Sequence, residues 1–252
     1  LSVALVALSA LAAATIQAST GMGFALVLGP AAFALLDPTN AIVALTALGL
    51  ALNLLVLFGE RRRPVVAWGE VRPMLLAAAP GAVCGVVLLR ALPKPALQIA
   101  VGVAVMAAAL VRVPGQRRAV APAPTPGHPR ARLALGFATG TLTTSAGVNG
   151  PPMALWFTRR GLTPAQVRDS LSAAFLGLSL IGAAVLAPVL AAAGEDVRWP
   201  LLAAGLVSVV AGHAVGRRVF AVLEGRRYEP LLLAVAVAAG TASIVAGVIA
   251  AT

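Results

Sequence analysis

The chain has 252 residues, of which 60% are hydrophobic and only 11% charged, with a mean hydropathy of +0.96. Soluble domains carry roughly 25% charged residues, so the composition excludes a soluble globular domain and describes a polytopic membrane protein. The net charge of +11 sits on arginines clustered between apolar runs without interleaved aromatics, which reads as topology signal and contact with anionic membrane lipid, not as a nucleic-acid surface.

A single cysteine, Cys84 within an apolar run, excludes an internal disulfide and any cysteine-based metal cluster. The opening LSVALVALSALAAA lacks a basic leader and is expected to be mature structure. Leu1 to Ala18 is the first apolar run. Ser19, Thr20, Gly21, Met22 and Gly23 then interrupt it, and a short apolar arm follows from Phe24 to Leu36. Asp37 or Thr39 is placed to cap a helix reaching about Phe58. Beyond Glu60-Arg61-Arg62-Arg63-Pro64 comes a connector with Trp68, then helices at about Val71 to Leu92 and Pro95 to Val111. Each of these three is near the ~20 residues that cross a hydrocarbon core.

Residues 112–131 form a Pro-rich, basic stretch without apolar period, expected to be a solvated cytoplasmic tether. It separates a first membrane repeat, 1–111, from a second, 132–252. The second repeats the order of the first: an apolar run from Leu133 to Ala146, a break, an arm to Thr158, then helices at about Pro164 to Leu190, Trp199 to Arg217 and Glu229 to Ala251. Pro151 and Pro152 make the second break the sharper one, since proline removes a helix donor and restricts its predecessor. An offset of 126 residues superposes the breaks, setting Gly21 on Gly147 and Pro38 on Pro164. The same offset pairs Thr15 with Thr141, Gln17 with Thr143, Ser19 with Ser145, Thr46 with Ser172 and Asn53 with Ser179. With about five inserted residues, Gly81-x-x-x-Gly85 then meets Gly212-x-x-x-Gly216. Small-xxx-small spacing lets helices approach closely, either within the protomer or across a homodimer.

If each break is a hairpin entering and leaving on one side, 16 of the 19 Lys and Arg fall in cytoplasmic segments; treating the second break as one ordinary span gives a near-even split. The positive-inside rule prefers the hairpins. A hairpin plus three full spans crosses an odd number of times, so the halves insert with opposite polarity. The expected fold is therefore all-α, a polytopic membrane protein of two inverted-topology repeats, each a broken-helix hairpin plus three transmembrane helices. In such proteins the breaks meet near the midplane and form the substrate site.

The stretches TGMGFALVLGP, GVNGPPMALWFTRRGLTPAQVRDSLSAAF and, more weakly, AGHAVGRRV resemble the TauE/SafE family of membrane permeases, also called the sulfite exporter family, and the overall pattern covers nearly the whole chain. The resemblance implies a transporter, not an enzyme, of the bacterial cytoplasmic membrane, moving sulfite, sulfonates or other small anions, usually outward. Three glycines are usual at each break of that family. Here Phe24 and Ala25 follow Gly23, and Asn149 stands where a glycine is common.

The residues expected to bind substrate are Gln17, Ser19, Thr20, Gly21 and Gly23 from the first break, and Thr143, Thr144, Ser145, Gly147, Asn149 and Gly150 from the second. Asn53 and Ser179, with Thr46 and Ser172, line the space behind them on this reading. Hydroxyls, amides and helix N-termini can replace the hydration shell of an anion. The structural alternative is that the hydroxyls bond back to their own helices and the glycines serve packing. The expected site uses dipoles and hydroxyls and no buried arginine, because a permanent charge would hold the anion too tightly. His213 is the one histidine within an expected span, with no acidic neighbour in sequence. All eight carboxylates fall in connections or near helix ends, so no acidic relay crosses the membrane; coupling to a proton or sodium stands beside passive efflux. Trp68, Trp156 and Trp199 read as interfacial anchors. No metal or cofactor motif is present. Rival readings are a passive channel for small ions or neutral solutes, an intramembrane enzyme, for which no H-E-x-x-H or G-x-S-x-G exists, and an assembly subunit.

Overall fold

The computed structural model describes residues 2–36, 38–91, 129–145, 150–193 and 199–223, with scattered helical positions near 99–103 and 230–249. Among the described residues it is all-helical, with eight helices: α1 (Ser2–Thr20), α2 (Phe24–Leu35), α3 (Pro38–Phe58), α4 (Trp68–Ala91), α5 (Pro129–Ser145), α6 (Gly150–Arg159), α7 (Pro164–Ala193) and α8 (Trp199–Leu223). Four of these, α1, α4, α7 and α8, are long and apolar enough to cross a membrane. The linker and most of the helices expected after Pro95 and Glu229 lie outside the described residues, as does Asp37.

Most boundaries follow local chemistry. Proline opens α3, α5 and α7, where its missing N–H costs nothing; Thr39 therefore lies inside the first turn of α3 and is not its cap. Helix α5 starts earlier than expected, taking in Pro129 to Arg132, because Arg132 finds a partner there: its Nη1 donates to the Gly69 carbonyl at 2.9 Å. Helix α8 runs past Arg217 to Leu223, and the added turn carries Phe220 into the interior.

Packing crosses between the two halves of the chain. Helix α1 lies along α8 and α4 along α5, the two most extensive contacts among the described helices. Both are made by glycine. A Cβ at Gly81 would run into the Phe137 carbonyl oxygen, one at Gly85 into that of Thr141, and one at Gly140 into that of Ala78. On the other pair, Gly212 faces the Leu11 carbonyl and Gly216 that of Thr15. Lipid is as apolar as Leu, so close backbone approach and dispersion supply what the hydrophobic effect cannot. Both glycine faces are spent inside the protomer, which decides between the two roles expected of them and leaves neither for a dimer.

The buried apolar residues form two clusters. One joins the first break to α4, α6, α7 and α8 through Met22, Met74, Met153, Phe157, Leu171, Phe175 and Phe220; the other joins α1, α2, α3 and α8. The outer faces remain apolar: Leu76, Val83 and Val87 recur at helical spacing on α4 with exposures of 76%, 56% and 62%. That is a lipid-facing stripe on a multi-pass membrane protein.

Gly140→Val should lower the melting temperature in detergent, since overpacking against backbone that cannot rotate away costs about 1–3 kcal/mol or more. Gly29, which has nothing within 4 Å of an added Cβ, is the control. Gly29→Ala should leave stability unchanged or raise it by about 0.5–1 kcal/mol.

Candidate functional site

The first break is a left-handed reversal. Gly21 and Gly23 have φ of 89° and 114°, a region open to glycine at little steric cost. The Thr20 hydroxyl lies 2.8 Å from both the Ile16 and Met22 carbonyls and accepts the Met22 N–H at 3.3 Å. Gln17 ties the break together: its Nε2 donates to Asn53 Oδ1 at 2.9 Å, and its Oε1 accepts the Phe24 N–H at 3.1 Å. One buried amide thus caps α2 and anchors the break to α3. The α2 N-terminus, where an anion was expected, is occupied in part by the protein itself.

The expected hydroxyls are similarly engaged. Ser19 donates to the Ile16 carbonyl at 2.9 Å and Thr143 to that of Thr139 at 2.7 Å. Thr144 donates across the α4–α5 interface to the Ala82 carbonyl at 2.7 Å. Ser179 is half-buried on α7. Gly147 and Asn149 lie outside the described residues, as does the Ser145 side chain. The first break reaches the start of α6: a Cβ at Gly150 would stand 3.3 Å from Met22 Cβ and 3.4 Å from Phe175 Cζ. At Gly21 an added Cβ would meet the Arg168 Cα at 3.0 Å. Arg168, Leu171, Ser172 and Phe175 share one face of α7 by spacing, and it is this face that backs the first break and the start of α6.

A charge cluster closes the space beneath the first break. Arg168 is fully buried. Its Nε donates to the Ala18 carbonyl at 2.6 Å, one of the four carbonyls that end α1 without a helical partner, and the cation favours that negative helix end. Its Nη1 donates to Glu60 Oε2 at 2.9 Å and its Nη2 to Glu60 Oε1, a bidentate pair. Its Cζ lies 4.5 Å from the centre of the Phe220 ring. Next in sequence, Asp169 is also fully buried; it accepts both Arg62 Nη groups at 2.7 Å and the Val65 N–H at 2.8 Å. Ser170 accepts the Ala67 N–H at 2.9 Å. The α3–α4 connection, turned sharply at Arg61 with φ 48°, is thereby sewn to the start of α7. His213 Nε2 lies 3.9 Å from Glu60 Oε1, while its Nδ1 and the Ser172 hydroxyl are buried without a hydrogen-bond partner.

This corrects the expectation of a site without buried arginine. A guanidinium stands directly beside the first break, neutralised by a carboxylate from the α3–α4 connection. The same geometry gives His213 an acidic neighbour from 153 residues away in sequence. Burial pushes the Glu60 carboxyl up, but the hydrogen bonds and charges of Arg168 and then Arg62 outweigh it and hold the group below its ordinary value. The hydrogen bond to Asp169, against the opposing effect of burial, helps hold Arg62 above its own.

A second polar knot lies at the same end of the bundle as the start of α4. Trp156 Nε1 donates to Glu70 Oε2 at 2.9 Å, and Arg160 reaches Glu70 Oε1 at 3.2 Å while stacking 4.6 Å over the Trp156 ring. Trp156 thus fastens the arm after the second break, whereas Trp68 and Trp199 are exposed, at 48% and 71%, as anchors would be.

The chain matches the Sulfite exporter TauE/SafE family across residues 6–243. It belongs to that family. Members are transporters, not enzymes, and the family is named for sulfite export, so a small anion is the implied substrate class. No curated protein and no solved structure gives a significant match.

Two outcomes follow from the geometry. Gln17→Leu should destabilise by about 1–3 kcal/mol, because it strands the Phe24 N–H and the Asn53 amide. Gln17→Leu and Asn53→Leu combined should cost clearly less than the sum, read as melting temperatures in a double-mutant cycle. Glu60, depressed in the folded state, contributes stability that is present above its unfolded value of about 4.5 and is lost as pH falls through the lower folded value. Melting temperature should therefore fall in acid below that point, and Glu60→Gln should flatten this dependence.

Proposed function

We propose that the chain is a secondary transporter that carries a small anion, such as sulfite, a sulfonate or a related organic anion, outward across the bacterial cytoplasmic membrane by alternating access. The observation that carries this reading is the close approach of Met22, in the first break, to Gly150, the first residue of α6, inside an apolar bundle; it supports a meeting of the two breaks. Irregular backbone at that depth is tolerated where it is buried in protein or lines a wet cavity, and paired discontinuous helices are the usual substrate site of secondary transporters.

The glycine contacts support two inverted repeats. Gly81 meets Phe137 and Gly212 meets Leu11; Gly85 meets Thr141 and Gly216 meets Thr15. The partners in each comparison are 126 residues apart, the offset that superposes the breaks. Each half thus sends an equivalent helix onto the opening helix of the other. Such an exchange would let one half rock against the other about the contact of the breaks. The hydroxyls near the breaks act on this reading as ligands that exchange a backbone carbonyl for the anion when the pathway opens.

Purified protein in liposomes should take up sulfite with saturation, and sulfite inside should accelerate exchange. Flux linear in concentration, without that acceleration, would instead describe a channel. Gly150→Val should reduce saturable uptake about tenfold or more, equivalent to about 1.4 kcal/mol. Uptake equal to wild type would remove the breaks from the transport pathway.

A further inference from the structure

The donors expected to receive an anion at the first break are spent within the protein: Ser19 and Thr20 on backbone carbonyls, Gln17 on Asn53 and the Phe24 N–H. The strongest anion receptor beside that break is Arg168, and it already holds an anion. The Glu60 carboxylate sits on it in the bidentate geometry that a sulfonate or sulfite would adopt. We propose that Arg168 is the anion-binding residue of the transport pathway, that Glu60 is its resident competitor, and that Glu60 yields on taking a proton passed through His213. This rests on the transporter reading above and adds to it a residue, a competitor and a coupling ion.

Three features support the exchange. First, Arg168 has anchors besides Glu60: its Nε donates to the Ala18 carbonyl and its Cζ lies over the Phe220 ring, contacts that do not use the two Nη groups. Second, Ser172 lies one turn along the same face of α7, fully buried with an unpartnered hydroxyl, and supplies a further donor for an oxyanion. Third, His213 stands 3.9 Å from Glu60 with its Nδ1 unpartnered, within reach of a proton transfer after a small shift.

Charge balance then fixes the stoichiometry. The groups facing Glu60 are Arg168 on α7, Arg62 in its own connection and His213 on α8, with Arg217 one turn further along α8; α1 contributes only a carbonyl. Arg62 and Arg168 balance Glu60 and Asp169 when His213 is neutral. One proton and one monoanion added together leave that balance unchanged, whereas either alone would leave a net charge in a poorly solvated space. The proton bound by His213 moves to a Glu60 oxygen, His213 returns to neutral, and the freed Nη groups take the anion. Once the Arg168 Nη groups turn to the anion, the hydrogen bonds that most strongly held the Glu60 proton off are gone and burial favours keeping it. Anion and proton therefore travel in the same direction, one for one, and outward movement is driven by an anion gradient steeper than the opposing proton gradient.

The test uses the full chain in liposomes containing a pH-sensitive dye, with methanesulfonate, a permanent monoanion at neutral pH, and sulfite as probes. Wild type should show saturable uptake with acidification of the lumen. Glu60→Gln keeps the shape of the side chain but removes the competing charge; its KM for methanesulfonate should fall about tenfold and become independent of pH, with acidification lost. The charge-neutral double variant Glu60→Gln/Arg168→Gln leaves neither charge buried alone; it should still melt cooperatively as a folded protein, at a lower temperature than wild type, yet lose methanesulfonate binding in thermal-shift titration. His213→Asn should retain that binding and slow acidification. A wild-type KM in Glu60→Gln, or methanesulfonate binding retained in the double variant, would overturn the assignment while leaving anion transport intact. Absence of saturable uptake of either probe by wild type would strike at the transporter reading itself.

Discussion

The arrangement of this protein depends on one buried cation. Arg168 is held by three kinds of attraction at once: a carboxylate from the α3–α4 connection, a carbonyl at the end of α1 and the face of Phe220 from α8. It is therefore the point where α1, α7, α8 and the α3–α4 connection are fixed relative to one another. An unpaired guanidinium in this position would cost several kcal/mol. The pairing must form wherever the helices come together, and this selects one register of α7 against the first break.

Around that fixed point the bundle is assembled by close approach. Gly81, Gly85, Gly136 and Gly140 press α4 and α5 into backbone contact, and Gly212 and Gly216 do the same for α8 on α1. These contacts cross the midpoint of the chain, so neither half has a complete set of neighbours without the other. In a lipid solvent this matters more than apolar content. Leu76 or Val207 can face lipid at no cost, while a glycine that loses its partner leaves a groove.

The breaks exploit the rigidity of these pairs. Between α1–α8 and α4–α5 the short arms α2 and α6 carry polar links beside their apolar contacts, Gln17 to Asn53 and Phe24 in one case and Trp156 to Glu70 in the other. Such links are directional and exchangeable, whereas the glycine interfaces are not. The alternating access proposed above needs both: fixed pairs that transmit motion, and local hydrogen bonds that can be traded for a substrate.

Much of this was legible in the sequence. Composition and run length determined an all-helical membrane protein, Gly21 and Gly23 determined where α1 and α2 part, Pro38 and Pro164 where α3 and α7 begin, and the recurrence of Gly21, Pro38 and Thr15 at one offset marked the repeat of pattern. These are local properties, set by backbone sterics and by the solvent. What only the tertiary structure decided is where polar side chains spend their hydrogen bonds. Ser19, Thr20, Thr143 and Thr144 look like ligands in sequence, yet each has a carbonyl within reach on its own helix or the next, and a nearby internal acceptor takes the donor. Glu60, in a run of arginines, looks like a solvated turn, and Arg168 like one more topology charge; no spacing rule relates residues 108 apart. Their pairing follows from desolvation. Once the helices exclude water from the end of α1, each charge must find the other, and sequence carries no record of which charges will share a dry space.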